Sequence, residues 1–388
     1  MHCFFIIYVE FLNQLNLFTT VVLATFILTV LIQLLFYGVV YLRVAGRKTK
    51  SQDKNKSCET PPVSVIICAR NEQENLTANL TSVLEQDYPN FEVIVVNDCS
   101  DDDTEQVLAG FKQQYPQLRS TIIKMTGTFK NGKKFAATVG IKAAQHEWLL
   151  FTDADCKPCG PNWIKSMSRN FIDKKGIVLG YGGYLPQKGY LNKWIRYDTC
   201  FIAMQYFGFA MAGIPYMGVG RNLAYRKSLF YAHNGFAAHA HILSGDDDLF
   251  VNQAATGKNV AVEYSSESHT QSVPKKTFRE WIRQKNRHIS TSVYYKRLHS
   301  FLLGLEPVSR VLMWGTFCTL MIQSILWEYI LMIFLLRMVV FLPVFGLSAK
   351  KFNERGLLPH AVFFDLAMPF VYLYVFLLNR FFSKQNKW

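Results

Sequence analysis

Hydrophobic positions in this chain are pooled at its two ends and alternate with polar ones in the middle. Residues 17–42 carry no charge and are rich in Val, Leu, Phe and Ile. At about 1.5 Å per residue, a helix of that length crosses a hydrocarbon core of about 30 Å with some tilt. Arg43, Arg47, Lys48, Lys50, Lys54 and Lys56 follow, diluted only by Asp53. A basic cluster just after a span marks the cytoplasmic side. The apolar run is too long for a secretory leader and has no basic residue before it, so an uncleaved anchor over 1–45 is predicted, N-terminus outside.

The second pool, 311–349, is interrupted only by Glu328 and Arg337. It predicts a tight helical hairpin turning near Glu328, followed by a cytoplasmic loop marked by Lys350, Lys351 and Arg355. A last stretch, 357–378, contains Asp365 and Pro369 and reads as a kinked span or a re-entrant segment. Arg380, Lys384 and Lys387 favour the cytoplasm, whereas a fourth crossing would place them outside. Residues 301–388 therefore read as membrane and interface helices.

Between the pools, 61–300 reads as a soluble α/β domain. Short β-branched runs (63–68, 93–96, 121–123, 148–151) alternate with amphipathic stretches (72–84, 104–111, 134–144). That spacing predicts βαβ units and a parallel sheet, whose ligands bind beyond the carboxyl ends of the strands.

Composition agrees with this division. Half the residues are hydrophobic, only 18% are charged, and the net charge is +14. A disordered chain is excluded. A basic surplus on an apolar chain follows the positive-inside pattern, and no nucleic-acid partner is expected. The eight cysteines read as thiols, and a lone Cys156-x-x-Cys159 is weak zinc evidence.

The predicted strand ends carry the chemistry. The first runs into Ala69-Arg70-Asn71-Glu72, the second into Asn97-Asp98, and the fourth into Asp153-Ala154-Asp155. In extended chain, residues two apart face the same way, so Asp153 and Asp155 can share a cation such as Mg²⁺ or Mn²⁺. Asp246-Asp247-Asp248 is a cluster whose members raise one another's pKa, which suits a general base. Gln284, Arg287 and His288 lie in a basic stretch, 275–297, whose Trp281, Tyr294 and Tyr295 suit a membrane surface.

The order of these motifs resembles the membrane-embedded family 2 glycosyltransferases with the GT-A fold, a Rossmann-like mixed sheet; the group includes cellulose and hyaluronan synthases and ceramide glucosyltransferase. The resemblance implies a nucleotide-sugar donor, a lipid-linked or glycan acceptor at the membrane, and an integral plasma or inner membrane protein with its catalytic domain in the cytoplasm. It implies that Ala69, Glu72 and Asp98 bind the donor nucleoside. Lys133, Gln284 and Arg287 would join the donor site, and Asp153 and Asp155 would hold diphosphate through Mg²⁺ or Mn²⁺. Counting back from Gly257 places the base on Asp246, with Asp247 its competitor. Gly218, Gly220 and His288 fall on the acceptor side, His288 standing where the family has Trp. Two rivals remain: a processive polysaccharide synthase and a non-catalytic nucleotide-binding membrane protein.

Overall fold

The computed structural model describes residues 16–47, 60–124, 132–242, 244–324 and 326–382. The charges at Lys48, Lys50, Lys54, Lys56, Lys384 and Lys387 lie outside these segments.

Helix α1 (Leu17–Gly46) opens where the Asn16 side chain accepts the Thr19 amide at 2.8 Å, and it contains a π turn over Phe36–Tyr41. Near the other end, α10 (Arg297–Ile322) and α11 (Trp327–Lys351) form the expected hairpin, with Glu328 in the first turn of α11. Helix α12 (Ala361–Phe382) follows. Among the described residues, three segments, Leu17–Gly46, Trp327–Lys351 and Leu358–Leu378, are long and apolar enough to cross a membrane.

Charges inside this helical assembly are paired. Arg337 on α11 donates to both oxygens of Asp365 on α12 at 2.8 Å, and to Gln33 on α1 at 3.1 Å. Arg310 on α10 pairs with Glu306 one turn earlier and stands 3.6 Å from Asp365. Two acids and two arginines cancel where the four helices meet. Arg337 is thus paired in the interior and does not reach toward the headgroups.

Among the described residues, ten strands and eight more α-helices lie between. The main sheet has the order β3-β2-β1-β4-β8-β6-β9. Strands β1 (Val63–Ala69), β2 (Phe91–Asp98), β3 (Leu118–Ile123) and β4 (Trp148–Phe151) are mutually parallel, as the alternation predicts. Strand β8 (Leu223–Arg226) runs antiparallel to both β4 and β6 (Ile177–Leu179), and β9 (Val260–Val262) is parallel to β6. The sheet is therefore mixed. A small second sheet joins β5 (Cys156–Pro158), β10 (Thr270–Ser272) and β7 (Gly182–Tyr184).

Helices cover both faces, so the central strands are apolar on both sides. Val65, Ile67, Val93 and Val95 pack with Leu76 and Leu80 of α2 (Gln73–Leu84). Ile66, Ile94 and Val96 pack under α4 (Lys133–Ala143), the crossover after α3 (Thr104–Gln114). That second cluster continues without a break into the apolar terminal helices through α6 (Tyr190–Met211), the long helix that follows α5 (Trp163–Ser168). Gly208 on α6 lets α1 approach so closely that a Cβ there would lie 2.8 Å from the Val40 carbonyl oxygen. Helix α7 (Lys227–Ala232) leaves β8 at the amino edge of the parallel strands, where Arg226 pairs with Trp148, and α8 (Asp248–Ala254) and α9 (Phe278–Ile289) lead on toward α10.

Candidate active site

Two loops at the carboxyl ends of β1 and β2 are tied together. Asn71 and Cys99 both adopt left-handed backbone, with φ of 56° and 55°. Such conformations cost on the order of 1 kcal/mol or more for a residue with a side chain. Compensating bonds surround them: the Asn71 amide donates to Ser100 Oγ at 2.9 Å, and the Asp101 amide donates to Asn71 Oδ1 at 2.8 Å. Thr104 Oγ1 accepts the Glu72 amide, and Asp102 accepts that of Gln73. These bonds leave Asp98 and Glu72 free of backbone duties.

Asp98 ends β2 and is buried, yet among the described residues neither carboxylate oxygen has a hydrogen-bond partner. Burial raises its pKa, and the nearby Arg70 opposes that only in part. An orphaned buried acceptor is costly and marks a place where a donor group is missing. Glu72 accepts from Asn75, and burial plus the charges of Asp155 and Asp153 raise its pKa. Ala69 is different. Its methyl lies in the core cluster, so only its backbone can face a ligand.

Lys133, at the start of α4, is the central cation. Its Nζ stands 2.8 Å from Asp153 Oδ1 and 3.3 Å from Asp246 Oδ2. Burial disfavours ionised Asp153, but the Lys133 charge and hydrogen bond, with Arg221 and Arg287, hold its carboxyl below the usual range. Asp155 goes the other way: burial and the Asp153 charge push it up. Potential ligand atoms of Asp153, Asp155 and Cys156 all lie within 4.8 Å of one another. The paired carboxylates form a hard oxygen set that fits Mg²⁺ or Mn²⁺. Cys156 is the thiol of the strand just beyond and donates to Asp155 at 3.4 Å.

The three aspartates at the start of α8 separate by their partners. Asp247 accepts the Gly220 amide at 2.6 Å and the Asp248 amide at 2.8 Å. Burial and its two acidic neighbours raise it to about 7. Asp248 is buried and accepts hydroxyls from Thr291 and Tyr295 and the Leu249 amide. Asp246 has the Lys133 ammonium beside it.

Helix α9 brings the last group. A capping box between Thr277 and Glu280 fixes its start. Gln284 donates to the Tyr184 hydroxyl at 3.1 Å, while the charge of Arg287 acts on Asp153. His288 is exposed among the charges of Lys285, Arg287, Arg221 and Lys133. Gly220 borders the acids: a Cβ there would stand 3.2 Å from Asp247 Oδ2 and 3.4 Å from Lys133 Nζ. Gly218 does not. Its added Cβ would meet Leu223, Leu179 and Val251, so this residue serves packing rather than an acceptor-side surface.

The structure thus gathers Lys133, Asp153, Asp246, Asp247 and Gly220 around one pocket floored by Cys68, Thr152 and Tyr225. Sequence reasoning overlooked Arg221, whose guanidinium lies 4.5 Å from the Tyr184 ring centre and whose charge reaches Asp153 and Asp155. The available signal was a charge set between Gly220 and the apolar β8.

Comparison with known proteins follows this geometry. The model of "Glycosyl transferase family 21" matches residues 25–388. The probable glycosyltransferase YdaM of Bacillus subtilis is 28% identical over 244 residues, covering 59% of this chain and 54% of that protein. The glucosyltransferase WfaP of Escherichia coli, which acts on a diphosphoundecaprenol-linked sugar, is 27% identical over 132 residues, covering 33% of this chain and 48% of that protein. The chain spans about half the length of these relatives. Among solved structures, the mannosyltransferase PcManGT from Pyrobaculum calidifontis, in complex with GDP-Man and Mn²⁺, has a TM-score of 0.62 at 18% identity, covering 95% of this chain and all of that one. The shared fold is GT-A.

Proposed function

The chain belongs to glycosyl transferase family 21, and from that premise we propose an inverting transfer of one sugar from a nucleotide-sugar to a lipid-linked or otherwise membrane-proximal acceptor. The expectation from the motifs was family 2; the family model that matches is that of family 21.

The reading rests on Asp246. Of the three clustered aspartates it is the one whose carboxylate is not occupied by backbone amides or hydroxyls, and Lys133 links it to Asp153. In the proposed reaction the acceptor hydroxyl gives its proton to Asp246 as its oxygen attacks the anomeric carbon. The bond to diphosphate breaks on the opposite face, which inverts the centre. Charge developing on the leaving diphosphate meets Lys133 and Arg287. Asp98 and Glu72 would receive donor groups of the nucleoside, filling the unmet acceptors of Asp98.

Asp153 and Asp155 would hold Mg²⁺ or Mn²⁺. Such an ion, when bound, adds positive charge at the diphosphate. The fold shared with a protein that binds GDP-Man and Mn²⁺ accords with this assignment. Arg43 and Arg47 at the end of α1 support a cytoplasmic site on an integral membrane protein.

The test is transfer from labelled UDP- and GDP-sugars, with Mn²⁺, into membrane lipid by the purified chain. A product bearing one sugar of inverted anomeric configuration is expected. A long polymer would identify a processive synthase. Donor binding without transfer or hydrolysis would identify a non-catalytic binder.

A further inference from the structure

Helix α9 carries proposed donor contacts on one face and rests on membrane-associated structure with the other. Gln284 donates to the Tyr184 hydroxyl, and Arg287, three residues on and so on the same side of the helix, acts on Asp153 through its charge. Between them in sequence, Lys285 turns the opposite way and is 8% exposed. Its ammonium pairs with Asp198 of α6, a carboxylate with no solvent exposure. The other oxygen of Asp198 accepts the hydroxyl of Tyr372, which lies in the apolar segment Leu358–Leu378 of α12.

Aromatic packing reinforces the same seat. Trp281, one turn before Lys285, is 1% exposed and meets Trp194 of α6 with ring centres 6.3 Å apart. Trp194 in turn meets Phe364 of α12 at 5.1 Å. A second tie reaches the strand opposite α9. Glu354, in the loop between α11 and α12, accepts Tyr181 at 2.8 Å and pairs with Arg196 at 2.6 Å. Tyr181 directly precedes β7, which ends in the Tyr184 that Gln284 bonds.

We propose that Lys285 is a positioning residue for diphosphate binding: its ion pair with Asp198, completed by Tyr372 of a membrane helix, fixes the turn of α9 that presents Gln284 and Arg287. This rests on the donor-site reading above. A buried ion pair is weak evidence for stability in itself, because desolvation offsets most of the Coulomb gain. Its geometric value is different. One charge on α9 has one buried partner, so the helix can neither rotate nor slide without breaking the pair. The membrane helices then form part of the frame of the site.

The test uses the full chain in lipid nanodiscs and calorimetric binding of UDP, GDP, UMP and GMP with Mn²⁺. Removing one charge alone would strand the other, so Lys285→Met is combined with Asp198→Asn. This double variant is expected to lose roughly tenfold in diphosphate affinity, as a displaced contact turn would. Tyr372→Phe should lose less, monophosphate affinity should hold in both, and Lys285→Arg should retain diphosphate binding. Unchanged diphosphate affinity in the double variant overturns the proposal, as does an equal loss for mono- and diphosphates. A wild-type chain that binds neither UDP nor GDP instead overturns the donor-site reading beneath it.

Discussion

Asp247 accepts the Gly220 amide at 2.6 Å, and its other oxygen accepts the Asp248 amide. Both oxygens therefore hold backbone in place, which leaves Asp246 as the acid suited to take a proton from substrate. Asp246→Asn is expected to lower transfer by at least about a hundredfold while leaving nucleoside diphosphate affinity intact. Asp247→Asn keeps an acceptor for Gly220 and should cost far less. Steady-state rates beside binding constants check this. A dead Asp247→Asn with an active Asp246→Asn would move the base by one residue.

The raised pKa of Asp247 has a stability consequence of definite sign. A carboxyl at about 7 when folded, against 3.8 for an unperturbed aspartate, binds its proton more tightly in the folded state. Its stabilising contribution is full below the unfolded value and is lost as pH rises through about 7. Asp247→Asn should exceed the wild-type Tm by more near pH 8 than near pH 5, the difference corresponding to a free energy on the order of a few kcal/mol at most. Ligand-free thermal melts across that range give the answer, and a variant less stable at pH 8 than at pH 5 relative to wild type would reverse the sign.

Among the described residues, Lys133 is the ammonium that touches both Asp153 and Asp246. Lys133→Met removes a charge-assisted contact to diphosphate and leaves the acids to repel one another. Affinity for UDP or GDP with Mn²⁺ should fall about tenfold or more, the scale of one charged hydrogen bond. Calorimetry measures it. Unchanged affinity would remove Lys133 from the donor site.

Within the helical assembly, Arg337 and Asp365 are both fully buried and bidentate. Arg337→Met strands Asp365 beside Arg310 and should destabilise by about 3–5 kcal/mol. Combining it with Asp365→Asn should recover much of that loss. Thermal unfolding in detergent compares the two, and an additive loss in the double variant would deny the coupling.

How much of this was legible depended on what each residue needs as a partner. Strands β1, β2 and β4 showed as apolar runs ending in polar residues because they are buried on both faces and stop at the ligand edge. Helix α11 showed because its apolar run is long enough to cross a hydrocarbon core. Helix α6 did not show: it is covered by sheet and membrane helices, so no amphipathic stripe survives, and Asp198 finds its partners far along the chain in Lys285 and Tyr372. Strands β6, β7 and β9 are three residues each, too short to set a period. Gly218 was assigned to the acceptor side by its place in a motif, whereas only packing distances reveal that it faces Leu223 and Val251.

The most direct measurement is a thermal-shift panel of UDP- and GDP-sugars, with and without Mn²⁺, on the wild type and on Asp155→Asn. One donor should raise the Tm of the wild type only when Mn²⁺ is present, and the shift should vanish in the variant. Stabilisation by no nucleotide-sugar, or equal stabilisation of both proteins without metal, would contradict a metal-assisted nucleotide-sugar site at Asp153 and Asp155.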